Sequence, residues 1–144
     1  MGKKRKKKRI TAIRRYGERL LEQGRAGAVR IAAGDEVKMS EVLTEFIEPW
    51  EAAADTEIKY RFLLGLAVVA WNLSLLPEEL QGELLASSAA TVAPNVAEVP
   101  EMISELIERK KAHFADVRRL IAGYELTGTG VDRVLVVAST PLPL

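Results

Sequence analysis

The sequence predicts a mainly α-helical fold, a compact four- or five-helix domain with a basic N-terminal arm and one short C-terminal β-strand. Three observations predict it: apolar residues recur at helical spacing between caps and prolines, one β-branched run lies near the end, and composition is that of an ordinary soluble chain. With 48% apolar and 28% charged residues over 144 positions, a single domain can bury a real core without cross-links. The expected layout is a flexible arm over 1–9, a helical domain over 10–126, and a loop, strand and Pro-containing tail over 127–144.

A first helix is expected from within the basic run through Ile10, Ile13, Leu20 and Leu21 to Gly24. Ala28 to Ala32, between glycines, reads as a short strand or a helical turn. Ser40 has the chemistry of an N-cap, and Val42, Leu43, Phe46, Ile47 and Trp50 form the apolar stripe behind it, with Pro49 kinking or ending that helix. Thr56 is expected to cap a central helix through Tyr60, Leu63, Leu64, Ala67, Val68, Trp71 and Leu75, stopping before Pro77. The Phe62–Leu76 stretch is apolar but only 15 residues long, short of the ~20 a bilayer needs, so it is read as a helix buried on all sides.

Pro77, Glu78 and Glu79 read as the first turn of another helix with Leu80, Leu84 and Leu85 as its apolar face. Ser87 to Val99 reads as a loop. Pro100 and Glu101 open a last helix expected to reach Leu126, with Gly128 as its C-terminal cap. Ile103, Ile107, Phe114, Val117, Ile121 and Tyr124 fall on alternating spacings of four and three, and Lys110 fills the vacancy. Such a seam packs either within the domain or against a partner helix or second copy. Val131 to Ala138 reads as a strand whose pairing partner is the Val29 region, a copy of itself, or another protein.

The net charge of +1 conceals a strong segregation. Residues 1–30 carry 12 basic against 2 acidic side chains, residues 31–108 carry 3 against 15, and residues 109–144 carry 6 against 3. Electrostatic function is therefore placed at the two basic ends. Lys3, Lys4, Arg5, Lys6, Lys7, Lys8 and Arg9 form an unbroken cationic run, extended by Arg14, Arg15 and Arg19. Such arms bind phosphate backbones by counterion release. They also serve as solubilising tails or, in a eukaryote, as nuclear addresses. Arg109, Lys110, Lys111, Arg118 and Arg119 make a second cluster, in which Lys111 and Arg118 are expected to share one side of a helix and to extend the arm into a groove, unless the cluster is only a solvated face. Tyr16 is the only aromatic in the N-terminal basic region, which disfavours recognition of single strands by stacking.

Catalytic signatures are sparse. The chain has no cysteine and one histidine, so thiol chemistry, disulfides and multi-histidine metal sites are excluded, and His113 is read as an exposed helix residue. Glu41, Glu45, Glu48, Glu51 and Asp55 line one side of a helix and are read as solvated surface rather than as metal ligands. Thr127-Gly128-Thr129-Gly130 lacks the strand-to-helix context of a phosphate loop. No secretory signal is expected, because Thr11, Arg14 and Arg15 interrupt any apolar stretch, and Lys6 stands where a myristoylation motif needs Ser or Thr. The segment from Ala70 to Glu79, AWNLSLLPEE, stands out as a motif with no assignable role.

The functional expectation is a non-catalytic accessory or adaptor protein of the cytoplasm, or the nucleus in a eukaryote, without cofactor, metal or membrane. It would bind RNA or DNA through residues 3–9, Arg14, Arg15, Arg19, Lys111 and Arg118, and a protein partner through Ile107, Lys110, Phe114, Val117, Ile121, Val134 and Val136. The alternative is a protein-only interaction module, such as a regulatory subunit or antitoxin-like partner, with the arm as a tail.

Overall fold

The structure, a computed structural model, describes residues 15, 16, 18, 19, 38–92, 98–128 and 130–142. In chain order these include α1 (Met39–Glu51), α2 (Glu57–Ser74), α3 (Glu78–Val92), α4 (Val99–His113), β1 (Arg119–Thr127), a 3-10 turn (Gly130–Asp132) and β2 (Val134–Pro141). The strands form a two-stranded antiparallel sheet, so the fold is mainly helical with a β-hairpin. Residues 3–9, Arg14, the Val29 region and 93–97 lie outside the described residues.

The local signals explain most boundaries. Thr56 takes an extended conformation and its hydroxyl accepts from the Lys59 amide at 3.2 Å, the N-cap expected at the head of α2. Pro77 precedes α3, and its carbonyl accepts from the Leu80 amide. Pro100 stands in the first turn of α4, where its missing N–H removes no helical bond. At α1 the expectation fails by two residues: the helix begins at Met39, and the Lys38 carbonyl accepts from both Glu41 and Val42, so Ser40 lies inside the first turn.

Four larger corrections concern the second half of the chain. The last helix stops at His113 instead of reaching Leu126, and residues 119–127 form a strand. That strand pairs with β2, so the expected single strand is half of a hairpin, and its partner is none of the three anticipated. Gly128 accordingly serves the hairpin turn and not a helix end, with φ +75°. The expected loop from Ser87 is helical as far as Val92.

The chain divides into two compact units. One comprises Leu43–Ile121 and Ser139–Leu144. Here α2 packs on α3 and α4, and these two pack on each other. Leu43, Phe46 and Ile47 of α1, Leu64, Leu66 and Trp71 of α2, and Val99, Ile103 and Leu106 of α4 are fully buried. Phe46, Trp71 and Phe114 meet edge to face with ring centroids 5.3, 5.6 and 5.9 Å apart, a geometry that aligns ring edges with ring faces. The central helix is not buried all round, since Ile58 and Phe62 are exposed. Nor do Leu80 and Leu84 form a buried face on α3; both are exposed, while Ala89 is buried.

The other unit comprises Met1–Val42 and Ala122–Ala138. Arg15, Tyr16, Glu18 and Arg19 have helical backbone there. Tyr16 is buried against Val136, with Val134 and Ala138 packed around them, and Arg19 forms an ion pair with Glu125.

Candidate nucleic-acid interface

The five cations of the second basic cluster separate into two groups. Arg109, Lys110 and Arg119 are consumed by the chain's own backbone and side chains. The Arg109 guanidinium donates from Nε to the Phe46 carbonyl at 2.9 Å and from Nη2 to the Glu45 carbonyl at 3.0 Å, and it lies over the Phe114 ring. Pro49 explains the need. Lacking an N–H, it leaves the carbonyl four residues back, that of Glu45, without its helical donor, and Arg109 supplies one.

Lys110 is buried, 4% exposed, and its ammonium donates to the carbonyls of Phe114 at 2.9 Å and Val117 at 3.0 Å while standing 4.5 Å from the centre of the Trp71 ring. The chain leaving α4 therefore wraps round the lysine. Burial in an apolar surrounding lowers its pKa from the ordinary 10.5, and the nearby charge of Arg118 lowers it further. Arg119 donates to the Ser139 hydroxyl at 2.9 Å, from β1 to the end of β2.

Lys111 and Arg118 remain at the surface. The shortening of α4 removes the helix face they were expected to share, yet they converge by another route. Ser74 and Leu75 from the end of α2, Lys110 and Lys111 from the last turn of α4, and Ala115 and Arg118 from the following turn line one cleft of about 220 Å³. Lys111 pairs with Glu78 at 3.5 Å, between well-exposed groups, an ion pair worth little. Ser74 donates its hydroxyl proton to the Trp71 carbonyl at 2.6 Å, which leaves its oxygen to the cleft as an acceptor.

The residues expected to meet a protein partner lie inside the fold. Ile107, Lys110, Phe114, Ile121 and Val136 are buried, and Val117 and Val134 are half-buried. Their spacing is met by packing within the chain: Ile107 and Lys110 are buried on α4, Phe114 meets Phe46 and Trp71, the Ile121 backbone is bonded to Asn72 of α2, and Val134 and Val136 pack with Tyr16. Of the described members of the N-terminal cations, Arg15 is exposed and Arg19 holds Glu125. Tyr16, being buried, offers no stacking face.

Sequence reasoning singled out Ala70–Glu79 without a role, and that role is structural. Trp71 donates from its indole to the Arg119 carbonyl at 2.8 Å, and Asn72 both donates to and accepts from the Ile121 backbone. Two adjacent helical side chains thus hold the start of β1. The acidic row of Glu41, Glu45, Glu48, Glu51 and Asp55 is exposed, as is His113. Among the described residues no group of three His, Cys, Asp or Glu side chains could hold a metal ion, and no helix is long and apolar enough to cross a membrane.

No protein-family model, no curated protein and no solved structure matches this chain.

Proposed function

We propose that the protein is a non-catalytic accessory protein of the cytoplasm that binds nucleic acid, with residues 3–9 supplying non-specific attraction and the Lys111–Arg118 cleft supplying a fixed phosphate contact. The observation that carries this reading is the convergence of Lys111 and Arg118 on one cleft although helix and turn separate them. Arg109, Lys110 and Arg119 serve backbone carbonyls and side chains of the fold, so the remaining two are the members of the cluster that can meet an external anion. The arm provides charge density; the cleft provides a place.

The test is binding of labelled duplex DNA, single-stranded DNA and RNA by the full chain, a chain lacking residues 1–9, and Lys111→Ala/Arg118→Ala, across roughly 50–200 mM salt. Each phosphate that a variant no longer neutralises should reduce the slope of log affinity against log salt by roughly 0.7–0.9. The double variant is expected to fall short of the full chain by one or two phosphates and the truncation by several. Equal, negligible binding by all three proteins at moderate salt would refute the proposal.

A protein-only interaction module is the second reading. What favours it is the pair Leu80 and Leu84, one turn apart on α3 and each more than a third exposed. A partner held there would bind with little salt dependence.

A further inference from the structure

The Lys111–Arg118 cleft gathers three cations, Lys110 included, and none of its six lining residues is acidic. Like charges brought together at a surface repel, and Arg118 already disfavours the proton on Lys110. Glu78, the counter-charge to Lys111, is highly exposed. Among the described residues no ion pair engages Arg118. A bound anion would offset this repulsion, and the donors define its kind. Lys110 contributes charge but no free hydrogen bond, since its ammonium is committed to two carbonyls and the Trp71 face. Lys111 and Arg118 contribute donors, Arg118 in a planar fork that matches two oxygens of a phosphate. Ser74 contributes an acceptor beside them, suited to a ligand hydroxyl, and Leu75 contributes an apolar wall.

The size of the cleft narrows the choice. Its volume, about 220 Å³, is roughly seven times the ~30 Å³ share of a water molecule, enough for a phosphoryl group and an attached sugar ring. A terminal phosphate carries about −1.5 to −2 charges at neutral pH, against the single charge of a backbone phosphodiester, and three cations favour the former. We propose that this cleft receives the terminal phosphomonoester of a nucleic-acid strand, with Lys111 and Arg118 on its oxygens and, where the adjoining sugar is a ribose, Ser74 accepting from its 2′-hydroxyl. The inference rests on the nucleic-acid reading for the source of the phosphate.

The experiment compares, for the full chain, short single strands that differ only in bearing a 5′-phosphate, a 3′-phosphate or hydroxyl ends, alongside inorganic phosphate in a thermal melt against chloride at matched ionic strength. One phosphorylated end is expected to bind about tenfold tighter than the hydroxyl strand. Arg118→Gln should abolish the difference, bringing the phosphorylated strand down to the affinity of the hydroxyl strand for the same variant. Its fold should persist, because the Arg118 backbone carbonyl, which accepts from Leu142, is untouched. Lys111→Gln provides the second variant, with a smaller loss of the same preference. Equal affinity for phosphate and hydroxyl ends overturns the inference while leaving nucleic-acid binding standing. If no strand binds, the nucleic-acid reading has failed and inorganic phosphate decides. A melting temperature raised by phosphate in the wild type but not in Arg118→Gln supports the phosphoryl site, and no such rise overturns it.

Discussion

Asn72 and Ile121 are joined by two hydrogen bonds of 2.9 Å each, the side-chain amide donating to the Ile121 carbonyl and accepting from the Ile121 N–H. A side chain on a helix thus reproduces the edge of a peptide group and satisfies both backbone groups of one strand residue. The pairing is specific to an amide, since only an amide offers a donor and an acceptor side by side. Together with the indole bond of Trp71 to Arg119, two residues earlier on β1, it sets the register of the strand's first three residues on α2.

Replacing Asn72 by Ala should destabilise the protein by about 2–3 kcal/mol, because two half-buried backbone groups lose their partners at once. Asn72→Asp gives the sharper test. An ionised carboxylate still accepts from the Ile121 N–H but places negative charge against the Ile121 carbonyl, whereas the protonated acid can donate to it. The deficit of Asn72→Asp relative to wild type should therefore shrink as pH falls from about 7 to about 4, through the carboxyl range. A deficit independent of pH in urea unfolding would argue against the paired geometry.

What could be read in the sequence was what local chemistry decides. Thr56, Pro77 and Pro100 marked helix starts by capping and by the missing proline N–H, and those starts hold to within a residue or two. Residues 119–127 defeated the reading because their apolar positions continue the helical spacing of Ile103, Ile107 and Phe114, while their burial, concentrated at Ile121 and Leu126, lacks the alternation of a half-buried strand. What makes them a strand is remote: Trp71, Asn72 and β2. The candidate site was half visible for the same reason. Lys111 and Arg118 stand out as a pair in the sequence, but the commitment of Arg109 to a helix far earlier in the chain follows from a proline whose consequence only tertiary structure reveals.

That commitment can be measured with a double-mutant cycle. Arg109→Ala removes two charge-assisted bonds to Glu45 and Phe46 and should cost about 2–3 kcal/mol. Pro49→Ala restores the N–H that normally serves the Glu45 carbonyl. In that background the same Arg109→Ala change should cost about 1 kcal/mol less, within the coupling expected of residues sharing one acceptor. Additive effects would mean that Arg109 is held for its charge or its packing on Phe114 rather than for the gap left by proline.

The hairpin turn makes a separate demand on glycine. A Cβ at Gly128, whose φ is +75°, would stand 2.3 Å from the Asp132 carbonyl oxygen and 2.9 Å from its carbon, both rigid backbone atoms. Gly130 also has positive φ, +56°, but a Cβ there meets nothing within 4 Å. Gly130→Ala should thus cost only the left-handed penalty of about 1–2 kcal/mol, and Gly128→Ala distinctly more. Comparable melting temperatures for the two variants would show that the turn relaxes around the added methyl.

Lys110 predicts a pH dependence with a definite sign. Burial first, and the Arg118 charge second, lower its pKa in the folded protein below the 10.5 of the unfolded chain. Between the two values the unfolded chain holds a proton that the folded one lacks, so stability rises with pH across that window and is flat below the lowered value. The groups around the ammonium explain why the neutral form is tolerated: Arg118 and Lys111 are cations, the Trp71 ring is uncharged, and an amine keeps two N–H donors for the carbonyls of Phe114 and Val117. Lys110→Met fills much the same space without donors and should cost on the order of 1 kcal/mol near pH 7, the missing hydrogen bonds being partly offset by the charge no longer buried. Because the variant has no group titrating there, its deficit against wild type should widen as pH rises towards 10.5. Urea unfolding at neutral and alkaline pH reads this directly, and parallel curves for the two proteins would mean that the ammonium is no more costly in the fold than in water.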